Sequence, residues 1–199
     1  MTQIPGIQSR QCQKAAWPVH KKICKLNQET TATLEARPGD LERLDALRDF
    51  TRKHRATISE AAFHAVRHDY LPPSSLDPVA TSKEREDVLV IDLRTRPNAA
   101  RARPETRFYC MGAQLETFSF FPEEKLDEMR LRLRSCREEA TRHRGPSSAA
   151  LVVLSLRDPD MELMNVMSVA FSLDQSDVDE LEIPWKQFLI HMMNEGIVE

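Results

Sequence analysis

The sequence predicts an α+β protein, in which a mixed β-sheet carries helices packed on its faces. Three observations lead to this fold class. A continuous apolar run at residues 88–91 is typical of a strand that is buried on both faces, and residues 149–156 form a second strongly apolar segment. In four other segments, apolar residues recur at spacings of three and four, as they do in amphipathic helices. Turn-forming pairs of Pro and Gly separate the two kinds of segment.

Two helices are expected before the first strand. Asp40 is a suitable N-cap for a helix over residues 40–53, whose Leu and Phe residues recur on one side. Thr57 and Glu60 match the capping box, in which Thr57 caps the helix and Glu60 reaches back to it. The second helix is therefore predicted over residues 58–69. Its apolar stripe follows the helical spacing and consists of Ile58, Ala61, Ala62, Ala65 and Val66.

The first strand is predicted at residues 88–91, where Val and Ile predominate. Residues 108–120 contain three Phe and are interrupted near Gly112, which predicts a strand pair or a bulged strand. Between these two segments lies a polar excursion, residues 94–107. It carries the arginines Arg94, Arg96, Arg101, Arg103 and Arg107.

A long helix is predicted to begin at Pro122, because proline is tolerated in the first turn of a helix. This helix should end at Gly145. The strand at residues 149–156 comes next, and an alternating apolar pattern predicts a further strand over residues 167–173.

The last helix is predicted to begin at Pro184. Gly196 is expected to cap its C-terminus, because glycine adopts the left-handed conformation without a steric penalty. Its apolar residues recur at helical spacing, and those expected to be buried are Trp185, Phe188, Leu189 and Met192.

The composition is ordinary for a globular protein with one substantial core. Of 199 residues, 41% are hydrophobic and 30% are charged, and the formal net charge is −3. So small a net charge excludes a polyelectrolyte role for the whole chain. The chain has four cysteines, no apolar leader at its N-terminus and no run of about eighteen apolar residues. These features predict an intracellular protein, nuclear or cytoplasmic, without disulfides or membrane spans.

Soft metal ligands lie close together near the N-terminus. They are Cys12, His20 and Cys24. His20 and Cys24 are four residues apart, so one helical turn would direct both side chains to a common point. Thiolates and neutral imidazoles are ligands that zinc prefers. The neighbouring charged residues are all basic: Arg10, Lys14, Lys21, Lys22 and Lys25.

Residues 9–26 resemble the C-terminal half of a MYND-type zinc finger. The closing pattern of that family is Cys-Gln, a short spacer, Trp, two residues, His-Lys, two residues and Cys. The matching positions here are Ser9, Cys12, Gln13, Trp17, His20, Lys21 and Cys24. The layout is similar to that of fungal proteins in which such a finger precedes an uncharacterised α+β domain. It implies a partial finger at residues 9–26, a linker at 27–39 and an α+β domain at 40–199.

The resemblance also implies an incomplete set of zinc ligands. The resemblance implies that a full finger of this family holds two cross-braced zinc sites. By that comparison, His20 and Cys24 form half of one site, Cys12 forms a quarter of the other, and Gln8 stands where another Cys is usual. Because structural zinc takes four ligands, zinc binding is expected to be impaired. Residues 1–8 are expected to be translated intron, since a Gln codon can read CAG, the usual end of an intron.

The expected function is a non-enzymatic protein–protein interaction, since MYND fingers typically present a groove to short proline-containing peptides. His64 and His68 have zinc-ligand spacing, but the stretch lacks the Glu of a metalloprotease helix, so exposed surface histidines are expected. Cys110, beside Tyr109, has no base that the sequence identifies, and is expected to be buried. The Asn-His-x-Cys stretch of MYND-containing SET methyltransferases is missing from the sequence, so lysine methyltransferase activity is not expected.

Nucleic-acid binding through residues 94–107 is the alternative function. The five arginines of this excursion would neutralise phosphates and make binding sensitive to salt. The excursion has no interleaved aromatic residues on which bases would stack, and the whole chain is acidic. A solvated loop is therefore the favoured interpretation, and nucleic acid is not the expected partner.

Overall fold

The computed structural model describes residue 21 and residues 39–70, 86–144, 147–158, 161–172, 181 and 183–198. By its internal contacts, the chain divides into two units, Met1–Arg43 and Leu44–Glu199. In the first unit the structure describes Lys21 and the five residues 39–43. The second unit holds the sheet and most of the helical residues.

The described part of the chain contains four helices and four strands, so the predicted α+β class is confirmed. The helices are α1 (Asp40–Lys53), α2 (Arg55–Tyr70), α3 (Glu123–Arg144) and α4 (Trp185–Glu195). The strands are β1 (Asp87–Thr95), β2 (Phe108–Thr117), β3 (Ser147–Asp158) and β4 (Met161–Ser172). Short 3₁₀ turns lie at Ala99–Arg101, Pro104–Thr106 and Phe118–Phe120. Among these described helices, none combines the length and the apolar character needed to cross a bilayer.

The four strands form one mixed sheet in the order β2-β1-β3-β4. β1 pairs antiparallel with β2 and parallel with β3, and β3 pairs antiparallel with β4. The connection that makes β1 and β3 parallel contains α3, as a crossover between parallel strands usually does. The parallel pair is therefore central, and β2 and β4 lie at the two edges.

Helix α3 covers one end of one sheet face. The buried cluster beneath it takes residues from the first half of β1 and from positions 149–153 of β3, and the partly buried Val166 and Ala170 of β4 are the partners of Val153 and Ala149. Because β4 runs antiparallel to β3, all of these positions lie at the same end of the sheet. The cluster consists of Val88, Val90, Phe118, Met129, Leu133, Ala149, Leu151 and Val153.

Helices α2 and α4 pack on the opposite face. α2 contacts β1, β3 and β4, while α4 contacts β2 and α2. The strand residues on this face alternate with those beneath α3 and are buried from one end of the sheet to the other. They are Leu89, Ile91, Leu93, Val152, Leu154, Leu156, Leu163, Met167 and Val169.

The local prediction for residues 88–91 is confirmed, since all four side chains are buried and the sheet is covered on both faces at this point. Cys110 is buried, as predicted, and Cys136 packs against the cluster beneath α3. Neither of these two cysteines forms a disulfide.

The capping box predicted at Thr57 is wrong. α2 begins at Arg55, so Thr57 lies inside the first turn. Among the described residues, the buried Oγ1 of Thr57 has no hydrogen-bond partner. The helix begins before the predicted start because the N–H of Ile58 already donates to the carbonyl of His54, at 2.9 Å.

Helix α4 follows its prediction at both ends but not in every buried position. Its N-cap is Pro184, and Gly196 caps its C-terminus with a φ of 66°. Trp185 and Leu189 are buried as predicted, but the buried methionine is Met193. The two residues that are only half-buried, contrary to prediction, are Phe188 and Met192.

His54, between α1 and α2, is fully buried and holds the polar excursion against these helices. Its Nε2 lies 2.9 Å from the carbonyl oxygen of Glu105. A carbonyl only accepts hydrogen bonds, so Nε2 carries the proton. Nδ1 is buried without a hydrogen-bond partner among the described residues. Burial lowers the pKa of His54 below its ordinary 6.5, so the ring is neutral at pH 7.

The pH dependence of stability follows from this histidine. Its folded pKa lies below its unfolded pKa, so the unfolded chain binds the extra proton. We expect the free energy of unfolding to fall as the pH drops below about 6.5, by at most about 1.4 kcal/mol per pH unit. Urea denaturation at a series of pH values measures this slope, and His54→Gln should flatten it. An unchanged slope in His54→Gln would contradict the assignment. Glu86, whose carboxyl pKa is lowered by a hydrogen bond from Arg130, contributes only at lower pH, near its ordinary 4.5 and below.

Candidate interaction surface

The three predicted zinc ligands, Cys12, His20 and Cys24, lie outside the described residues. By the MYND comparison they are divided between two sites, so neither site has the four ligands that structural zinc takes. Within the described ranges, no three His, Cys, Asp or Glu side chains come together as a metal ion would require. The residues on which the zinc expectation rests do not, by themselves, fit a closed zinc site.

The other sequence candidates do not form a reactive site in the described part of the chain. His64 is half-buried, not exposed as expected, and its ring packs edge-on against Phe63 with centroids 5.1 Å apart. The side chain of His68 lies outside the described residues. Burial raises the pKa of the Cys110 thiol to about 12. A thiol with this pKa stays protonated at neutral pH and is a weak nucleophile.

The arginine-rich excursion is ordered by its own side chains. Arg96 donates from Nε to the carbonyl of Phe108, at 3.1 Å, and from a second guanidinium nitrogen to the carbonyl of Asn194. The same guanidinium lies 4.0 Å from the centroid of the Tyr109 ring. Arg96 therefore ties the start of β2 to the last turn of α4, where a cation is favoured by the helix dipole.

Two further arginines of the excursion make contacts within it. Arg107 donates from Nε to the carbonyl of Ala102, at 3.4 Å. Arg103 lies 3.3 Å from the carboxylate of Glu105. Arg107 and Arg103 thus already interact with a backbone carbonyl and a carboxylate of the protein itself. The geometry therefore gives less support to the nucleic-acid alternative than a row of five solvated arginines would.

The end of the sheet face that α3 does not cover exposes large side chains. We call this surface the open face. Tyr109 is 39% exposed, Met164 is 48% exposed and Met111 is 60% exposed, and all three are apolar or largely so. Exposed apolar side chains grouped on one surface are a recognised mark of interaction sites. By strand register and exposure, the open face consists of Asp92, Arg94, Tyr109, Met111, Arg157, Met164 and the position of Glu162, together with Ser155, which is itself buried.

Strand register places these residues side by side. Asp92 is the partner of Ser155, which is in turn the partner of Met164. Arg94 is the partner of Tyr109. Alternation along each strand puts these positions on the same face as the cluster beneath α3, but at the far end of the strands. The open face thus crosses all four strands.

A β-bulge brings Met111 to this surface. Asp92 pairs with Gly112, whereas Leu93 pairs with Cys110, so Met111 is left without a partner on β1. The bulged strand predicted near Gly112 is therefore confirmed. A bulge re-aims the side chain of the extra residue, and here that residue is the most exposed large apolar side chain of the described chain.

The outer end of the open face carries charges of both signs, because Glu162 is the register partner of Arg157. Arg94 and Arg157 are exposed and stand near the ends of the neighbouring parallel strands β1 and β3. Asp92 lies 3.8 Å from Nε of Arg157, and Arg157 also donates to the hydroxyl of Ser155, at 3.3 Å.

Sequence reasoning missed this surface, although part of its signal was present. Met111 and Met164 could be recognised as apolar residues within predicted or neighbouring strand segments. What could not be read from the sequence is that α3 stops short of them. That depends on the angle at which a helix crosses a sheet, which is set by packing among distant residues.

Comparison of the chain with protein-family models, with curated proteins and with solved structures finds no match. The functions of the fold and of the open face are therefore inferred from the residues of this chain alone.

Proposed function

We propose that this chain is a non-enzymatic protein-interaction protein of the cell interior, nuclear or cytoplasmic. In this proposal a partial MYND-type segment at residues 9–26 precedes an α+β body whose open face binds a protein or peptide partner. The observation that carries the proposal for the body is the open face itself, an uncovered sheet surface that combines Tyr109, Met111 and Met164 with arginines.

The chemistry of the open face defines the partner. Three large apolar side chains favour burial against apolar groups of a ligand, at roughly 25 cal/mol per Å² of surface removed from water. Arg94 and Arg157 favour carboxylates, because guanidinium groups pair well with them. Tyr109 is held in place by Arg96, so little side-chain freedom is lost when it is covered. We therefore infer an acidic peptide segment with interspersed apolar side chains.

The test uses two sets of fluorescent peptides. In the first set Asp and Glu alternate with Leu and Phe, and in the second Lys replaces the acids. We expect the acidic set to bind in a salt-sensitive way and the basic set not to bind. Replacing Arg94 and Arg157 together by Ser should weaken binding about tenfold, since each exposed ion pair contributes about 0.5–1 kcal/mol. Fluorescence anisotropy measures both effects.

The matched control replaces two arginines outside the open face. Arg101→Ser with Arg103→Ser removes the same charge from the excursion and should leave peptide binding unchanged. Oligonucleotide binding that this control abolishes would instead support the nucleic-acid alternative. Amide chemical-shift changes on peptide addition should map to Asp92, Tyr109 and Met164, and a map confined to other surfaces would overturn the assignment.

The N-terminal segment carries a separate expectation about zinc. Cys12, His20 and Cys24 match the MYND pattern, but in that pattern they supply two ligands of one tetrahedral site and one ligand of the other. Zinc binding supplies about 10–16 kcal/mol to small zinc modules that have all their ligands. A chain lacking part of the set should lose most of that binding energy.

Metal analysis of the purified chain tests this expectation. We expect less than one equivalent of zinc to survive dialysis against a chelator. Cys24→Ser should leave this content nearly unchanged, because no closed site exists to be broken. A stoichiometric, chelator-resistant zinc that Cys24→Ser removes would contradict the expectation, and would show that other residues complete the site.

A further inference from the structure

The two edges of the sheet are built differently. At the β2 edge, the side-chain amide of Asn194 pairs with the backbone of Cys110 as a neighbouring strand would. The N–H of Cys110 donates to Oδ1 of Asn194 at 2.7 Å, and Nδ2 of Asn194 donates to the carbonyl of Cys110 at 3.1 Å. Arg96 binds the carbonyl of Phe108 on the same strand, and the bulge at Met111 interrupts the ladder. These are devices that keep an edge strand from pairing with another chain.

In the part of the chain that the structure describes, no side chain is seen to bind the outer backbone of β4, and its ladder has no bulge. β4 is twelve residues long and pairs with β3 without a register shift, from Met161 to Ser172. In the sheet of the described residues, no further strand lies beside it. It contains no Pro, Lys or Arg, and Glu162 is its single charged residue. A long, regular, nearly uncharged edge is a template for strand addition.

We propose that the occupant of this edge is the β4 strand of a second copy of the chain. Residues 163–172 carry no charge, so antiparallel pairing of this segment with itself sets no like charges opposite each other. Backbone edges are self-complementary, and pairing across a two-fold axis gives a closed, isologous dimer. The product is a continuous eight-stranded sheet, with β2 of each copy at its two protected ends.

The strand geometry also explains why the open face remains accessible in this dimer. Strand addition uses backbone groups in the plane of the sheet, whereas the open face points away from that plane. A two-fold axis perpendicular to the sheet keeps equivalent faces of the two copies on the same side. The dimer would therefore present two open faces, and its formation does not depend on the peptide binding proposed above.

Mass measurement and hydrogen exchange test the dimer without any substitution. Light scattering should give twice the chain mass of 22.9 kDa at high protein concentration, with dissociation on dilution. On an unpaired edge strand every second amide faces away from β3 and exchanges rapidly. In the dimer, consecutive amides within residues 163–172 should be protected. A mass of one chain at all concentrations, or alternating protection in the associated state, would overturn the proposal.

Proline substitutions at two adjacent positions of β4 provide the matched variants. Backbone groups of successive strand residues point to opposite sides, so of Ser168 and Val169 one directs its N–H to β3 and the other directs it outward. Ser168→Pro and Val169→Pro should therefore differ, with Val169→Ala as the reference for the packing lost when the buried Val169 is replaced. The proline at the inward position lowers the melting temperature, and the proline at the outward position leaves a folded chain whose dimerisation is weakened roughly tenfold or more.

The opposite edge supplies the control. Met111→Ser changes an exposed methionine on β2 and should leave dimerisation unchanged. A proline variant on β4 that keeps its fold and also its dimer would show that the two copies associate elsewhere, as would loss of the dimer in Met111→Ser.

Discussion

Replacing Val90 or Val153 by Asp is expected to unfold the α+β body. The two residues are direct partners in the central parallel pair, are 2% and 1% exposed, and belong to the cluster beneath α3. A carboxylate at either position would be buried without a hydrogen-bond donor, which costs several kcal/mol. Since a domain of this kind has only about 5–15 kcal/mol of stability, most of that margin would be lost. Circular dichroism during urea denaturation measures the change.

The control for this pair lies on the same face of the sheet. Met164→Asp introduces the same carboxylate at an exposed position of the open face, and its effect should be below about 1 kcal/mol. Wild-type unfolding curves for both Val90→Asp and Val153→Asp would show that these segments do not form the centre of the sheet.

Replacing Gly196 by Ala is expected to cost about 2–4 kcal/mol, for two separable reasons. Gly196 has a φ of 66°, a conformation that residues with a Cβ adopt only with strain. In addition, the new Cβ would lie 2.5 Å from Cγ2 of Thr106 in the excursion. The glycine thus allows α4 to end against a turn that is distant in sequence. Thermal denaturation of the variant should show a large fall in melting temperature.

A double-mutant cycle separates the two reasons. Thr106→Ser removes Cγ2 but keeps the hydroxyl that donates to the carbonyl of Arg103, at 3.1 Å. In that background Gly196→Ala should recover the steric part of its cost and keep roughly 1–2 kcal/mol of backbone strain. Gly112→Ala is the neutral comparison, since a Cβ at this strand position would have no described atom within 4 Å beyond its chain neighbours. Equal costs for Gly196→Ala in both backgrounds would rule out the steric contribution.

The elements that sequence predicted well are those whose signal is local. Helical spacing identified α1 within its observed bounds, Asp40–Lys53, and continuous β-branched residues identified the buried start of β1. The bulge near Gly112 and the cap at Gly196 were also predicted, because glycine is favoured wherever backbone conformation departs from the regular one. Each of these signals acts over one or two turns, or over a single strand.

The errors arose where a local signal competed with a contact from elsewhere. The pattern at Thr57 resembles a capping box, yet the preceding turn at His54 already continues into the helix. The buried position of His54 is explained by its hydrogen bond to the carbonyl of Glu105, 51 residues away in the sequence. In the excursion, which the sequence predicted to be a solvated loop, Arg96 and Arg107 donate hydrogen bonds to backbone carbonyls. No spacing rule within a short window contains these partners.

By itself, the sequence determined which segments become helices and strands, because periodicity and turn residues express the preferences of a few neighbouring residues. It also carries the MYND-like pattern of Cys12, His20 and Cys24, on which the zinc expectation depends. Only the tertiary structure decided the strand order, the half of the sheet that α3 covers, and the protection of one edge by Asn194. These features depend on contacts between residues far apart in the chain, whose energies are set by packing and not by local propensity. The open face and the unprotected β4 edge both result from such contacts.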